Sequence, residues 1–216
     1  MVLGVLVGEM GIGIVHGRSR EWVFVASGML DGFRVLGFDL ETTGLNPRSD
    51  RVVQFALVGS DSDGTHLSLQ SLVHPGIRIP EKSTLVHGIS DSDVSDEVCF
   101  GDYMGELSSL IEGSVIVGHN VIGFDWRFFE VECARCGVEA PSPYAILDTL
   151  VLARKFDLPR PHKLGSLCEA FGISLERSHS ADADAGASLL LLWRIMGAYP
   201  EKFKLSLEDF LESLYR

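Results

Sequence analysis

The stretch VLGFDLETTG, Val35–Gly44, decides the fold that we predict for this chain. Its apolar residues lead into two acids, Asp39 and Glu41, and Thr42-Thr43-Gly44 then interrupts the run. In a pleated strand, residues i and i+2 point to the same face, so these two carboxylates are expected to lie side by side. Neighbouring carboxylates repel each other, and each costs free energy to desolvate. A bound divalent cation relieves both costs, whereas one solvated acidic turn is the plainer alternative.

The strand pattern around this stretch predicts a sheet. Three β-rich runs follow one another with short connections, which predicts an antiparallel meander, and two shorter apolar runs downstream predict buried strands. The polar loop SDSDG between the second and third runs has the composition of a hairpin turn. The predicted strands are Arg34–Leu40, Arg51–Gly59, Thr65–Val73, Ser114–Gly118 and Ala145–Leu147.

Helical patterns occupy most of the second half of the chain. Ser90-Asp91-Ser92-Asp93 offers helix N-caps, and Asp148 is a further N-cap candidate. The last core helix is apolar nearly all round and is therefore expected to lie buried against the sheet. The predicted helices are Tyr103–Ile111, Phe124–Cys136, Thr149–Phe156, Leu164–Phe171, Ala181–Met196 and Ser206–Tyr215.

The chain divides into three predicted parts. Residues 1–32 form an N-terminal extension of uncertain structure, with Trp22–Ala26 its best strand candidate, residues 33–198 form the core domain, and residues 199–216 supply a C-terminal helix. The first fifteen residues are apolar and Gly-rich, but they are too short to span a bilayer and carry Glu9. We therefore predict no association with a membrane.

Composition narrows the class of protein. The 216 residues are 46% hydrophobic and 22% charged, which is ordinary for a folded domain, and the formal net charge is −12. That charge argues against broad, nonspecific adhesion to nucleic acid, although acids neutralised by metal ions do not exclude it. The four cysteines form no disulfide framework, and the pair Cys133 and Cys136 lacks the second pair of a zinc site. We expect a cytoplasmic protein.

Two further acidic segments can complete a site with Asp39 and Glu41. In GHNVIGFDWRFF a buried strand ends at Gly118, and Asp125 opens the next helix. In HSADADA, His179 precedes Asp184 by five residues at the start of the final core helix. Each acid stands at the end of an element, where loops converge on one edge of a sheet and functional sites tend to form.

In combination these segments resemble the DEDD-type 3′–5′ exonucleases. The closest likeness is to the DnaQ-like group, which includes proofreading subunits of replicative polymerases and RNase T. FDLETTG matches the first motif of the family, GHNVIGFD matches the second with a loop one residue longer, and HSADADA matches the third. The likeness covers roughly residues 33–196, and the His at position 179 favours the DEDDh branch over the branch that carries a Tyr. It implies an α/β domain of the RNase H-like type, with a mixed five-stranded sheet flanked by helices.

The resemblance implies two-metal phosphodiester hydrolysis. Four acids would hold two Mg²⁺ or Mn²⁺ ions, and His179 would act as the general base. Asp182 competes with Asp184 for the fourth position; the helical pattern does not separate them, and the spacing of the family favours Asp184. The implied metal ligands are Asp39, Glu41, Asp125 and Asp184.

Contacts to the substrate are a weaker implication of the same likeness. The terminal nucleotide would meet a set of residues near the first and second motifs: Thr42, Thr43, Leu45, His87, Asn120 and Phe124. His87 can equally be a turn histidine, and Phe124 can be a core residue. The densest basic patch comprises Arg154, Lys155, Arg160, His162 and Lys163; it can steer phosphates towards the site, or it can be a solvated helix end.

The predicted activity is metal-dependent removal of nucleoside 5′-monophosphates from the 3′ end of DNA that is single-stranded or frayed, in proofreading or repair. One alternative is a 3′–5′ exoribonuclease that processes RNA. An alternative of another class is a catalytically idle module that binds nucleic acid or a polymerase. A polymerase or other protein partner could dock through the C-terminal helix, although closing the domain is the simpler role for that helix.

Overall fold

A computed structural model describes residues 4–8, 11–16 and 19–23 as backbone, and residues 28–175 and 180–216 with their side chains. His179 lies outside the described residues, as does the end of the strand predicted at Trp22–Ala26. Among the described residues, no helix is long and apolar enough to cross a membrane.

The N-terminal residues form a small sheet of their own. Strands β1 (Gly4–Gly8), β2 (Gly11–His16) and β3 (Ser19–Val23) pair antiparallel in that order. The predicted strand at Trp22–Ala26 is therefore wrong in its bounds, since β3 begins at Ser19. The register of β3 explains the shift, because its pairing with β2 runs from Val23 back to Ser19, opposite His16. That residues 1–32 are an extension separate from the core domain stays a prediction.

The main sheet has five strands in the order β6-β5-β4-β7-β8. The first three strands are antiparallel neighbours, and β7 and β8 continue the sheet parallel to β4. The predicted mixed five-stranded sheet is thus confirmed. Its strands are β4 (Val35–Thr42), β5 (Val52–Ser60), β6 (His66–Leu72), β7 (Val115–Gly118) and β8 (Ala145–Asp148).

Seven α-helices and two 3-10 helices complete the described fold. The helices are α1 (Glu81–His87), α2 (Met104–Ile111), α3 (Asp125–Arg135), α4 (Thr149–Lys155), α5 (Leu164–Ala170), α6 (Ala181–Ala198) and α7 (Leu207–Tyr215). The 3-10 helices are Phe100–Tyr103 and Pro200–Phe203.

One helix prediction before β7 needs correction. The sequence between Ser90 and Asp93 caps no helix; Asp93 instead accepts from the backbone N–H of Ser90 at 2.8 Å and closes a turn. The helix in this part of the chain is α1, which the sequence did not predict. The helix predicted at Tyr103–Ile111 is confirmed as α2 (Met104–Ile111), and the 3-10 helix Phe100–Tyr103 directly precedes it.

The two faces of β4 belong to two different cores. Leu36, Phe38 and Leu40 are buried against α2 and α3, where Phe38 meets Phe129 edge to face at 5.8 Å between ring centroids. Val35 points to the opposite face, which is covered by α4, α6 and α7. Since side chains alternate along a strand, Gly37, Asp39 and Glu41 share the face of Val35.

Small residues bring α6 directly onto this face. A Cβ atom at Gly37 would overlap the backbone carbonyl of Ala185 in α6, so only glycine allows this approach of helix and strand. Ala56 on β5 packs with Ala181 and Ala185 in the same contact. Gln54 then fixes the start of α6, because its Oε1 accepts from the N–H of Ala181 at 3.1 Å.

The pairing of β4 with β5 is irregular at the end of β4. Glu41 pairs with Gln54, but Thr42 pairs with Val52, so Val53 is an extra residue in β5. Such a bulge bends a strand and re-aims the residues that follow. Here it lies between the second acid of β4 and the loop that follows the strand.

The C-terminal helix α7 closes the domain. Ser206 caps it, with Oγ accepting from the N–H of Asp209 at 3.1 Å. Its apolar stripe, Leu207, Phe210 and Leu214, is buried in the same core as α4 and α6. The side chains of that stripe therefore pack against the rest of this chain.

Candidate active site

Three acids from two elements meet at one edge of the sheet. Carboxylate oxygens of Asp39, Glu41 and Asp184 all lie within 4.8 Å of one another. The first two come from β4 and the third from the first turn of α6, at the position where Gly37 lets that helix rest on the strand. Asp182 is not part of this cluster, and its carboxylate contacts the hydroxyl of Ser180 instead. The geometry therefore distinguishes Asp184 from Asp182, which the helical pattern did not.

Asp125 lies beside the cluster. It is the first residue of α3, is only 3% exposed, and accepts from the backbone N–H of Leu40 at 3.0 Å. Leu40 stands between Asp39 and Glu41 on β4, so this bond holds the fourth predicted acid against the strand that carries the first two. The charge of Asp125 acts on Asp39, and that of Glu41 acts on Asp125.

Burial and mutual repulsion raise the pKa values of these acids. Burial raises the pKa of Asp39 well above its usual value, and Asp125, Asp184 and Glu41 raise it further. The pKa of Glu41 is raised to about 7, chiefly by burial and then by Asp184. Burial also raises the pKa of Asp125, against the opposing hydrogen bond from Leu40. The site thus gathers negative charge at a cost that a bound cation removes.

Asp148 fixes the loop of the second motif. Its carboxylate caps α4 by accepting from Leu150 N at 2.9 Å, and it also accepts from the backbone N–H groups of Asn120 and Ile122, at 2.9 and 3.2 Å. Asn120 has a φ of 65°, in the left-handed region, which asparagine tolerates better than most residues. Asp148 is 2% exposed, so this support of the loop that leads to Asp125 is internal.

His119, at the end of β7, ties a second loop to the same edge. One ring nitrogen, Nδ1, lies 2.8 Å from the hydroxyl of Thr149, and Nε2 lies 3.0 Å from the carbonyl of His162. Burial lowers the pKa of His119, the hydrogen bond to His162 opposes this, and the nearby charge of Arg154 lowers it further. The histidine is therefore a structural link between the second motif and the loop before α5.

The loop after β4 is held by its own polar groups. Thr42 donates from Oγ1 to the carbonyl of Gly44 at 2.6 Å, while Thr43 accepts at Oγ1 from the N–H of Arg51 at 3.0 Å. Both threonines are buried. Ser83 of α1 donates to the carbonyl of Thr43 at 2.8 Å and so joins that helix to the loop.

The other predicted substrate contacts are spread around this edge. Leu45 is 85% exposed at the tip of the loop after β4. His87 ends α1 and accepts at Nδ1 from Ile89 N at 3.0 Å. Phe124 is half-buried and packs on Phe128 at 5.0 Å between centroids, which favours the core role that was its alternative. Their contacts with a nucleotide stay predictions.

The donor set fits divalent cations. Hard carboxylate oxygens from Asp39, Glu41, Asp125 and Asp184 are the ligands that Mg²⁺ and similar ions prefer. Three of these acids are within 4.8 Å of one another, which is close enough for them to share an ion. Burial and the neighbouring acids both raise the pKa values of Asp39 and Glu41, and a cation shared by these carboxylates would offset both causes.

Sequence reasoning missed the residues that position this site. Each of them contacts a partner that is distant in the chain. They are Gly37, Gln54, Ser83 and, as a support of the second motif, Asp148. The only available signals were a glycine two residues before the first acid and an acid at the end of β8. Neither identifies its partner.

Comparison with known proteins agrees with this geometry. The family model of the RNase T exonucleases, described as exonuclease, matches residues 36–192. DNA polymerase III subunit epsilon of Treponema pallidum is 29% identical over 168 residues, which cover 76% of each chain. The PolC-type DNA polymerase III of Streptococcus suis is 32% identical over 171 residues, but this chain spans only 12% of that protein.

Solved structures share the fold. Exonuclease I superposes with a TM-score of 0.71 at 21% identity, covering 79% of this chain and 42% of that one. Escherichia coli exonuclease I in complex with a dT13 oligonucleotide gives a TM-score of 0.70, with the same identity and coverage. Because the family model covers most of the chain, this protein belongs to the exonuclease family and is a hydrolytic exonuclease of the DEDDh type.

Proposed function

We propose that this chain is a metal-dependent 3′–5′ exonuclease that releases nucleoside 5′-monophosphates from single-stranded or frayed DNA. The observation that carries the proposal is the convergence of Asp39, Glu41 and Asp184 within 4.8 Å, with Asp125 held beside them. Support for DNA comes from the relatives, which are DNA polymerase III subunits, and from a structural neighbour bound to an oligothymidylate.

The proposed chemistry uses four acids and one histidine. Asp39, Glu41, Asp125 and Asp184 hold two Mg²⁺ or Mn²⁺ ions. When bound, such ions lower the pKa of a water molecule and neutralise charge on the scissile phosphate. His179 takes the proton of the attacking water at a ring nitrogen, because imidazole titrates near neutral pH.

The loops around the acids receive the terminal nucleotide. Leu45 is exposed in the loop after β4 and packs on the terminal base in this proposal, while Thr42 and Thr43 hold that loop. His87 ends α1 and Asn120 follows β7 by two residues, and both face the same 3′ end in this proposal.

Association with a polymerase is part of the proposal. It rests on the names of the relatives, one an epsilon subunit and the other a PolC-type polymerase. The buried stripe of α7 leaves only the outer face of that helix for a partner. A cytoplasmic location follows from the same likeness.

A digestion assay tests the activity. Single-stranded, matched and mismatched DNA and an RNA of equal length, each labelled at the 5′ end, are incubated with Mg²⁺, Mn²⁺ or EDTA. We expect progressively shorter labelled products from DNA only with metal. Asp184→Asn should lower the rate about 10³-fold, as loss of several kcal/mol of transition-state stabilisation requires. The matched control Asp182→Asn should digest at nearly the wild-type rate.

Three results would overturn parts of the proposal. Faster digestion of RNA than of DNA would make the chain an exoribonuclease. Intact oligonucleotides in Mn²⁺ would favour the idle binding module. Millimolar Mg²⁺ or Mn²⁺ should also raise the Tm by mass action. An unchanged Tm would contradict the proposed metal site.

A further inference from the structure

The cations of this acidic chain are concentrated in one segment. Residues 154–163, here called the cationic segment, contain four of the 18 lysines and arginines but only one of the 30 acids. These four are Arg154, Lys155, Arg160 and Lys163, and all are exposed. In a chain with a net charge of −12, this is a local exception.

The four cations are not used in ion pairs. Within residues 28–175 and 180–216, none of them makes a salt bridge or a side-chain hydrogen bond. Several cations elsewhere in the chain are paired: Arg34 with Asp61, Arg135 with Glu132 and Lys204 with Glu201. The segment therefore presents charge that the described fold does not neutralise.

Favourable interaction with a helix dipole accounts for only two of the four cations. Arg154 and Lys155 lie in the last turn of α4, where cations interact favourably with the helix dipole. Arg160 lies outside any helix, and Lys163 is the N-cap of α5, without a capping hydrogen bond. A cation at a helix N-terminus is unfavourable, so Lys163 has no evident role in folding.

The segment is attached to the edge of the sheet that carries the acids. The carbonyl of His162 lies 3.0 Å from Nε2 of His119. His119 follows β7, and β7 is parallel to β4 and paired with it. The ends of these strands lie at the same edge of the sheet, so the cationic segment borders the site built on Asp39 and Glu41.

We infer that the cationic segment binds phosphates of the substrate strand, upstream of the nucleotide that is removed. This rests on the proposed function, because the acids must take the terminal phosphodiester. The following phosphates then need a positive surface, which is scarce in a chain of net charge −12. The segment is the densest run of lysines and arginines in the sequence, and its four cations are unpaired among the described residues.

The test compares two variants that change net charge equally. Arg160→Gln/Lys163→Gln removes two unpaired cations of the segment. It leaves the acids unchanged, and it also leaves Arg154 and Lys155, which interact with the dipole of α4. Lys204→Gln/Arg216→Gln removes two cations that are exposed and paired on the surface, with Glu201 and Glu212. Each variant is assayed on an oligothymidylate and on the p-nitrophenyl ester of thymidine 5′-monophosphate, which has no upstream phosphate.

For the segment variant we expect a higher KM on the oligonucleotide, by roughly tenfold, with kcat unchanged and normal turnover of the one-nucleotide ester. Between about 50 and 200 mM salt, the slope of log(kcat/KM) against log[salt] should flatten by about 1.4, for two lost contacts to a single strand. The control variant should keep the KM and the slope of the wild type.

Other outcomes decide against the inference. An unchanged KM and slope would make the segment a solvated helix end, and equal effects in both variants would assign the effect to net charge alone. If the wild type hydrolysed neither substrate, the proposed function would fail. Fluorescence anisotropy with a labelled oligothymidylate would then test the segment alone, and equal Kd values for wild type and segment variant would overturn it.

Discussion

Glu41 is the residue at which pH should act most visibly on the metal-free protein. Its pKa is about 7 in the folded chain, against about 4.3 for an unfolded glutamate. The folded state therefore binds this proton more tightly. The resulting stability is complete below about pH 4.3 and is lost as pH rises through about 7.

We expect the Tm measured in EDTA to fall between about pH 5 and pH 7.5, and to fall less steeply in Glu41→Gln. Since metal and proton compete for the same oxygens, the rise in Tm with Mg²⁺ should be larger at about pH 8 than at about pH 5.5. Parallel Tm profiles of wild type and Glu41→Gln would contradict the raised pKa.

The role of His179 is a second prediction for a single residue. His179→Ala should lower turnover by roughly 10²- to 10⁴-fold, as loss of a general base does. The variant should keep its metal-induced rise in Tm, because histidine is not among the proposed ligands. Turnover near that of the wild type would assign the proton transfer to another group.

At the scale of elements, the contact of α6 with β4 builds the site. Gly37→Ala would press a methyl group into the carbonyl of Ala185 and push Asp184 away from Asp39. We expect unfolding in urea to show a loss of about 1–3 kcal/mol, as overpacking costs, together with weaker metal-induced stabilisation.

Gly105→Ala is the matched control for this substitution. Gly105 lies in α2, and nothing is within 4 Å of an added Cβ. This variant should be more stable by up to about 1 kcal/mol because alanine favours the helix. A Gly37→Ala protein with wild-type metal response would show that α6 tolerates the displacement.

Elements also show what the sequence can predict. The strands and most helices follow from local apolar patterns, and Asp148 was recognisable as the cap of α4. Helix α1 was missed because Ser83 is its only buried residue, while Leu85 and Val86 are exposed, so it has no apolar stripe. The second function of Asp148, at Asn120 and Ile122, depends on partners 28 and 26 residues away and has no local signature.

For the whole molecule, the C-terminal helix is predicted to unfold with the core domain. Phe210 is 1% exposed and stacks with Phe203 at 4.8 Å between centroids. Phe210→Ala should cost about 3–5 kcal/mol in a single cooperative transition, whereas Glu212→Ala on the exposed side should cost less than about 1 kcal/mol. A separate early transition in Phe210→Ala, seen by circular dichroism, would show that α7 is an independent unit.

At this scale, the sequence alone supported the expectation that the acids meet in one site, but it did not identify all of them. Their spacing placed each at an element end, but Asp182 and Asp184 were equivalent on the helix. The contact through Gly37, Ala181 and Ala185 selects Asp184. The spacing of apolar residues within a single helix or strand does not reveal a long-range contact of that kind.

The extra residue in β5 makes the direction of the loop after β4 depend on chain length as well as on composition. Deleting Val53 would leave Thr42 opposite Val52 but would remove the bulge between Glu41 and Thr42. The bend that the bulge gives the strand pair at this point would then be lost. A deletion of a single apolar residue, with every acid retained, would therefore change the direction of the loop after Glu41, which the proposed function places against the terminal nucleotide.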